Sequence, residues 1–115
     1  MRDLIFRGKR NDNWEWLVSD SIIQHPNGVA LYDEVANDII YVVPETVGQF
    51  TGLTDVNGKN IFEGDIVRCC GDIYAVKFRK GCWVGVFNEE WEFLASITKT
   101  SRIIGNIYDN EDLLH

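Results

Sequence analysis

Cys69, Cys70 and Cys82, with His25 and His115, are the side chains of this sequence best suited to metal or thiol chemistry. A structural zinc site takes four ligands, usually with about two to four residues between paired cysteines. Cys69 and Cys70 are adjacent, so on a strand they point to opposite faces. In an antiparallel meander the strand Ile73–Arg79 separates them from Cys82, a span of roughly 20 Å. Buried, small, apolar thiols are expected, with no metal and no other cofactor. Asp55-Val56-Asn57-Gly58 resembles the start of a calcium loop, which needs glycine at its sixth position and an acid at its twelfth. Counted from Asp55, those positions are Asn60 and Ile66. The match fails.

Nucleophilic catalysis needs a base, most often histidine. His25 sits beside the turn formers Pro26-Asn27-Gly28, and His115 is the last residue given. The acids Glu63 and Asp65, like Glu89, Glu90 and Glu92, fall at expected turns, where carboxylates are ordinary. Phosphate-cradling glycine loops require a helix directly after the loop, and no helical period follows any glycine cluster here. A non-enzymatic protein is expected. One pattern favours nucleic acid. Small β-barrels stack bases on aromatics inside basic grooves, and Lys77, Arg79, Lys80 and Trp83 lie close together, with Tyr74, Phe87, Trp91 and Lys99 nearby. Aromatics filling the barrel, with the bases solvated, is the plainer explanation.

The elements that must position these residues are short strands. Leu4–Arg7, Trp14–Ser19, Ile22–His25 and Val29–Tyr32 come first, and Asp38–Val43 is apolar on both faces. Pro44-Glu45-Thr46-Val47 suits one helical turn, with Pro at its first position. Further on, Ile66–Cys70, Ile73–Arg79, Cys82–Phe87, Trp91–Ile97 and Arg102–Tyr108 form a strand series. Its turns are expected at Gly71-Asp72, Lys80-Gly81 and Asn88-Glu89-Glu90. Tyr74, Val76 and Phe78 alternate against Lys77 and Arg79, the period of a strand. The expected fold is mainly β, a small antiparallel barrel-like C-terminal part with an N-terminal β lobe. One domain of residues 1–115 contains both, the N-terminal β lobe at 1–50 and the barrel-like lobe at 51–115.

Charge is unevenly spread over the 115 residues, whose net charge is −7. Residues 1–10 carry four bases and one acid, whereas residues 11–58 carry eight acids and no Lys or Arg. Phosphate neutralisation supplies most nucleic-acid affinity, so nucleic acid is not the expected partner. No apolar run approaches the ~20 residues of a membrane-spanning helix, and Met1–Arg10 lacks the apolar stretch of a signal peptide. Three cysteines fit a reducing cytosol better than a disulfide framework. A cytoplasmic protein without a membrane partner is expected.

Several blocks carry a family resemblance. They are Phe6-Arg7-Gly8-Lys9-Arg10, the pair Trp14 and Trp16, Pro44 to Leu53 with Gly48 and Gly52, Asp55 to Val67 with Asn57, Gly58, Gly64 and Asp65, and Ile104-Gly105-Asn106-Ile107-Tyr108. In order and spacing the sequence resembles the YopX family of bacteriophages and prophages, from residue 4 to about residue 114. The resemblance implies a mainly β fold with a barrel-like C-terminal part, and a phage or prophage gene acting in a bacterial cytoplasm. It supplies no catalytic residue. Read physically, these blocks are fold-defining turns. Their glycines allow positive φ or close approach, and Asp55 and Asn57 bond their own backbone.

The expected role is that of an accessory protein of unknown function working through protein–protein contacts with an unknown host or phage protein. A weak single-stranded nucleic-acid binder using Lys77, Arg79, Lys80 and Trp83 is the alternative. A homo-oligomer is also expected, assembled through Ile39, Ile40, Tyr41 and Val42, because an apolar strand with two apolar faces invites pairing.

Overall fold

The structure, a computed structural model, describes residues 4–114, where short alternating runs between turn residues fold as twelve strands. Arg2, part of the basic start, and His115, a candidate ligand, lie outside the described residues. The protein is mainly β, with antiparallel sheets. It divides into two compact units, the first ending at Phe50 and the second beginning at Thr51.

In the first unit, β1 (Phe6–Lys9) pairs with β2 (Trp16–Ser19), while β3 (Ile22–His25), β4 (Gly28–Asp33) and β5 (Asp38–Val42) form a three-stranded sheet in that order. Trp14 was expected inside a strand. It adopts a positive φ of 62° in the turn before β2, so the strand starts at Trp16. Pro44–Thr46 makes the expected single helical turn, with Pro at its start. Thr46 ties that turn down. Its Oγ1 accepts from the Lys9 backbone N–H at 2.8 Å and donates to the Val43 carbonyl at 2.6 Å. Gly8 packs closely on β5, since a Cβ there would stand 3.1 Å from the Val42 side chain, which would have to shift to admit it. Val42, Ala30 and Leu31 are the buried apolar residues of this unit.

The chain passes into the second unit along β6 (Gly48–Thr54) and continues through β7 (Asn60–Phe62). Neither strand stood out in the sequence, since Gly, Gln, Thr and Asn dilute their patterns. Thereafter β8 (Asp65–Cys69), β9 (Asp72–Arg79), β10 (Cys82–Phe87), β11 (Glu90–Phe93) and β12 (Arg102–Asn106) build a five-stranded sheet ordered β11-β10-β9-β8-β12. That sheet curls into a half-barrel. Where a strand through Ile97 was expected, the chain turns at Leu94 into the one-turn helix α1 (Leu94–Ile97). A strand would point Leu94 and Ile97 to opposite faces. The helical turn puts both in the core with Ile61, Val67, Cys69 and Val76. Among the described residues no helix is long and apolar enough to cross a membrane.

Carboxylate and amide side chains hold the ends of these strands. Asp55, buried, accepts from the Asn57 and Lys59 N–H groups on Oδ1 at 2.9 Å each. Its Oδ2 accepts from the Ile103 N–H at 3.0 Å, so one carboxylate joins the β6–β7 turn to β12. Asp65 Oδ2 likewise accepts from Phe62 N at 2.8 Å, across the turn at Gly64. Asn106 Oδ1 accepts from Tyr108 and Asp109 N–H groups at 3.0 Å each.

Burial alone would raise the Asp55 pKa, but its three backbone N–H bonds win and hold it below the ordinary carboxylate value. A depressed folded pKa gives stability that is present above the unfolded value of about 4 and is lost as pH falls through the folded value. Asp55→Ala should therefore cost about 2 kcal/mol in urea denaturation at neutral pH, since it leaves three part-buried N–H groups without their acceptor. Asp55→Asn should cost less and flatten the acid limb of the stability curve. An unchanged acid limb in that variant would show that Asp55 does not carry it.

Candidate functional site

Register decides which side chains share a face of the half-barrel. Arg68 pairs with Arg102 and Ile73, Lys77 with Val84, and Arg79 with Cys82. Val84 pairs in turn with Phe93, and Val86 with Trp91. Paired residues in a sheet point the same way. One face therefore carries Arg68, Arg102, Lys77, Arg79, Trp91 and Phe93. The opposite face carries Tyr74, Val76, Val67 and Cys69, which belong to or pack against the core. The first is thus the outer face.

All five bases of this region are exposed, counting Lys80 in the turn after β9. None makes an ion pair among the described residues. Beside them, Trp91 and Phe93 each leave 51% of their surface in solvent and meet edge to face at 5.1 Å. Arg79, Lys80, Cys82, Val84, Trp91 and Phe93 wall a hollow of about 630 Å³, with Glu89 at its rim. An apolar floor ringed by cations suits a ligand with negative charge and one apolar group.

The sequence brought Lys77, Arg79 and Lys80 to this place but not Trp83. Trp83 lies on the inner face, packed against the core and edge to face with Phe78 at 4.8 Å. Tyr74 and Phe87 meet there too, at 5.9 Å. Arg68, Arg102 and Phe93 were missed. Counting residues outward from the Lys80-Gly81 turn would have found Phe93, because alternation carries its face from β9 to β11.

The cysteines do something other than expected. Cys70 is a turn residue with φ 55°, not a strand residue, and its Sγ lies 3.6 Å from that of Cys69. The opposed-face expectation fails because the turn is Cys70-Gly71 rather than Gly71-Asp72. Contact with Cys69 pushes the Cys70 thiol above its ordinary pKa, which disfavours the thiolate a metal or a nucleophile needs. Cys69 Sγ is 3.1 Å from Thr100 Oγ1. His25 Nδ1 accepts from the Asn27 N–H at 3.1 Å and stands 3.4 Å from the Tyr41 hydroxyl. No group of three His, Cys, Asp or Glu side chains suited to a metal ion occurs among the described residues.

Two features of the first unit complete the candidates. Lys9, although buried, places Nζ 4.6 Å from the Trp16 ring centre and 5.2 Å from that of Trp14. The Arg7 guanidinium stacks 4.2 Å over Trp16. These contacts anchor β1 to β2 and its preceding turn. The proposed self-association residues lie on β5, with Ile39, Ile40 and Tyr41 half-buried and Val42 buried. One edge of β5 pairs with β4. On the other edge Asn11 N donates to the Tyr41 carbonyl at 3.1 Å and Val43 N to that of Lys9 at 2.7 Å. That cover stops short of Ile39 and Ile40.

The family model described as YopX protein matches residues 2–115. No curated protein matches the chain.

The two faces of the half-barrel should respond differently to truncation. Trp91→Ala and Phe93→Ala should each change stability by less than about 1 kcal/mol, as exposed substitutions do. Trp83→Ala, on the core face, should cost about 3 kcal/mol. Urea denaturation checks this ranking, and a reversal would mean that the outer aromatics serve the fold instead of a ligand.

Proposed function

The chain belongs to the YopX family, and from that premise we propose a non-enzymatic accessory protein of a phage or prophage, acting in the bacterial cytoplasm through protein–protein contacts. The observation that carries this reading is the outer face of the half-barrel, where five exposed bases, with no ion pair among the described residues, flank two half-exposed aromatics. Arg and Trp are the residues on which protein interfaces most often depend. Such a face recognises rather than transforms. It offers charge, hydrogen-bond donors and apolar area, and the histidine nearest to a catalytic role, His25, spends Nδ1 on its own turn.

A second reading has its own observation. Trp91 and Phe93 are exposed beside Arg79 and Lys80, which is the chemistry of a weak single-stranded nucleic-acid binder. Charge weighs against it. The whole chain carries −7, and polyanion binding scales with the phosphates neutralised.

Affinity capture from phage-infected cells, with nuclease-treated and untreated arms, separates the two. A nuclease-resistant protein partner that is lost on Arg79→Glu is the expected result. Recovery of nucleic acid alone, lost on the same substitution, would overturn the ranking.

Self-association is proposed through β5, since Ile39 and Ile40 lie on the part of its edge that the Lys9–Asn11 segment leaves open. Light scattering after size exclusion at micromolar concentration should give a mass above 13.2 kDa. Ile40→Lys should reduce that mass while the fold survives, because an edge lysine blocks strand addition. A monomeric wild type would sink the idea.

A further inference from the structure

The outer face already carries one acidic segment with an apolar side chain, and it is the protein's own. The last helical turn, Glu111–Leu114, packs on β9 and presents Glu111 and Asp112 to solvent. Its Leu114 walls a small hollow of about 170 Å³ with Ile73, Ala75, Lys77 and Val86. These are outer-face residues by register. Farther along β9 and β10, toward the Lys80-Gly81 turn, lies the larger hollow over Val84, which likewise combines apolar and basic residues. Val84 is only 2% exposed, so the apolar surface open to a ligand is chiefly that of Trp91 and Phe93, each 51% exposed. No side chain of the Glu111–Leu114 turn lines this second hollow. It adjoins β11, which is the edge strand of its sheet and exposed along its whole length.

We propose that the hollow between Arg79, Lys80, Trp91 and Phe93 docks a short acidic protein segment that inserts one apolar side chain over Val84. The proposal rests on the protein-contact reading above and names the chemistry of the partner. Carboxylates on the segment pair with Arg79 and Lys80, and Lys77, Arg68 and Arg102 add a longer-range attraction along the same face. Arg offers a carboxylate two parallel N–H groups, which gives orientation as well as charge. The apolar side chain packs into the hollow against the exposed surfaces of the Trp91 and Phe93 rings, which touch each other edge to face. Glu89 at the rim repels a carboxylate placed over it, so the acids of the segment lie toward β9 and its apolar residue toward β11. A partner held this way is also well placed to pair its backbone with the open edge of β11, a common mode of peptide recognition.

The test uses the full chain and a labelled acetyl-Glu-Asp-Glu-Leu-Glu-Asp-Glu-amide peptide, with the same peptide carrying Ser for Leu as control. Fluorescence anisotropy should show binding that weakens steeply with salt. Affinity should fall about tenfold or more in Arg79→Glu, in Trp91→Ala and with the Ser control. Arg10→Glu, in the first unit, should leave it unchanged. Circular dichroism on each variant confirms that the fold persists, and Lys80→Gln serves as a milder second variant should Arg79→Glu unfold. Equal binding by all variants, or by the Ser control, would overturn the proposal. So would an unlabelled oligothymidylate that binds through the same residues more tightly than the peptide, because the partner would then be nucleic acid. Absence of peptide binding, together with a captured protein partner indifferent to Arg79→Glu and Trp91→Ala, would overturn this site while leaving the protein-contact reading standing.

Discussion

Three consecutive two-residue turns govern the second unit. Cys70-Gly71, Lys80-Gly81 and Asn88-Glu89 each place both central residues at positive φ, the geometry whose twist matches that of the flanking strands. Glycine and asparagine accept this conformation readily. Cys70, Lys80 and Glu89 do not, and for an ordinary side chain left-handed backbone costs about 1 kcal/mol or more. The strands joined by these turns offset that cost through their ladders and through the core of Ile61, Val67, Val76, Leu94 and Ile97. What the turns secure is register. A slip of one residue in β10 would send Val84 and Trp83 to exchanged faces and scatter the basic and apolar sets together. The cations and aromatics share a face because the turns have no spare residue.

A second set of contacts acts where the ladders stop. Asp55, Asp65 and Asn106 each accept backbone N–H groups at turns and strand ends. Close approach then restricts the residues around them. A Cβ on Gly105 would stand 2.5 Å from Asn110 Oδ1, and one on Gly64 3.0 Å from the Tyr108 ring, where φ is 92° besides. These positions lie in the blocks that carry the resemblance to the YopX family. A signature made of turn acceptors and tightly packed glycines specifies backbone geometry, so it identifies the fold while saying little about a ligand. The residues of the proposed docking face sit instead on β9 to β11, where the family resemblance is only one of pattern.

This division explains what the sequence could reveal. Regular alternation made β9 and β10 readable, and Pro44 marked its helical turn. β6 and β7 were not readable, because their pairing rests on Thr51 Oγ1 donating to the Ile61 carbonyl at 2.8 Å and on Asp55 rather than on apolar periodicity. The stretch after Phe93 misled for a different reason. Leu94, Ala95, Ser96 and Ile97 read as a strand continuation, yet the core needs the side chains three residues apart on one side, and only a helical turn supplies that. Of the candidate face, the three cations near the Lys80-Gly81 turn were legible from local alternation. Trp83 lies on the face opposite Lys77 and Arg79, because closeness along the chain does not decide which face of a strand a side chain takes. Arg68 and Arg102 depend on pairing between strands separated by more than thirty residues, and no local pattern contains that.

Net charge is a poor guide to such a surface. The chain carries −7, but Arg68, Lys77, Arg79, Lys80 and Arg102 are presented together, and salt screens charges beyond about 8 Å at physiological ionic strength. Within that range a ligand feels the local cations, opposed by Glu89 at the hollow and by Glu111 and Asp112 of the turn on β9, and little of acids farther off. A short acidic segment can lie wholly inside this zone, whereas a long polyanion must extend beyond it into the repulsive field of an acidic protein. The same arithmetic applies to affinity. Exposed ion pairs are each worth well under 1 kcal/mol, so charge alone steers the partner without holding it. In the proposed complex, holding would fall to the rings of Trp91 and Phe93, whose exposed surface would lose water on contact. Burying about 100 Å² of apolar surface there is worth roughly 2.5 kcal/mol, more than any one of the salt bridges around it. In the proposed complex the cations would select an acidic partner, and contact with the two rings would decide whether it stays.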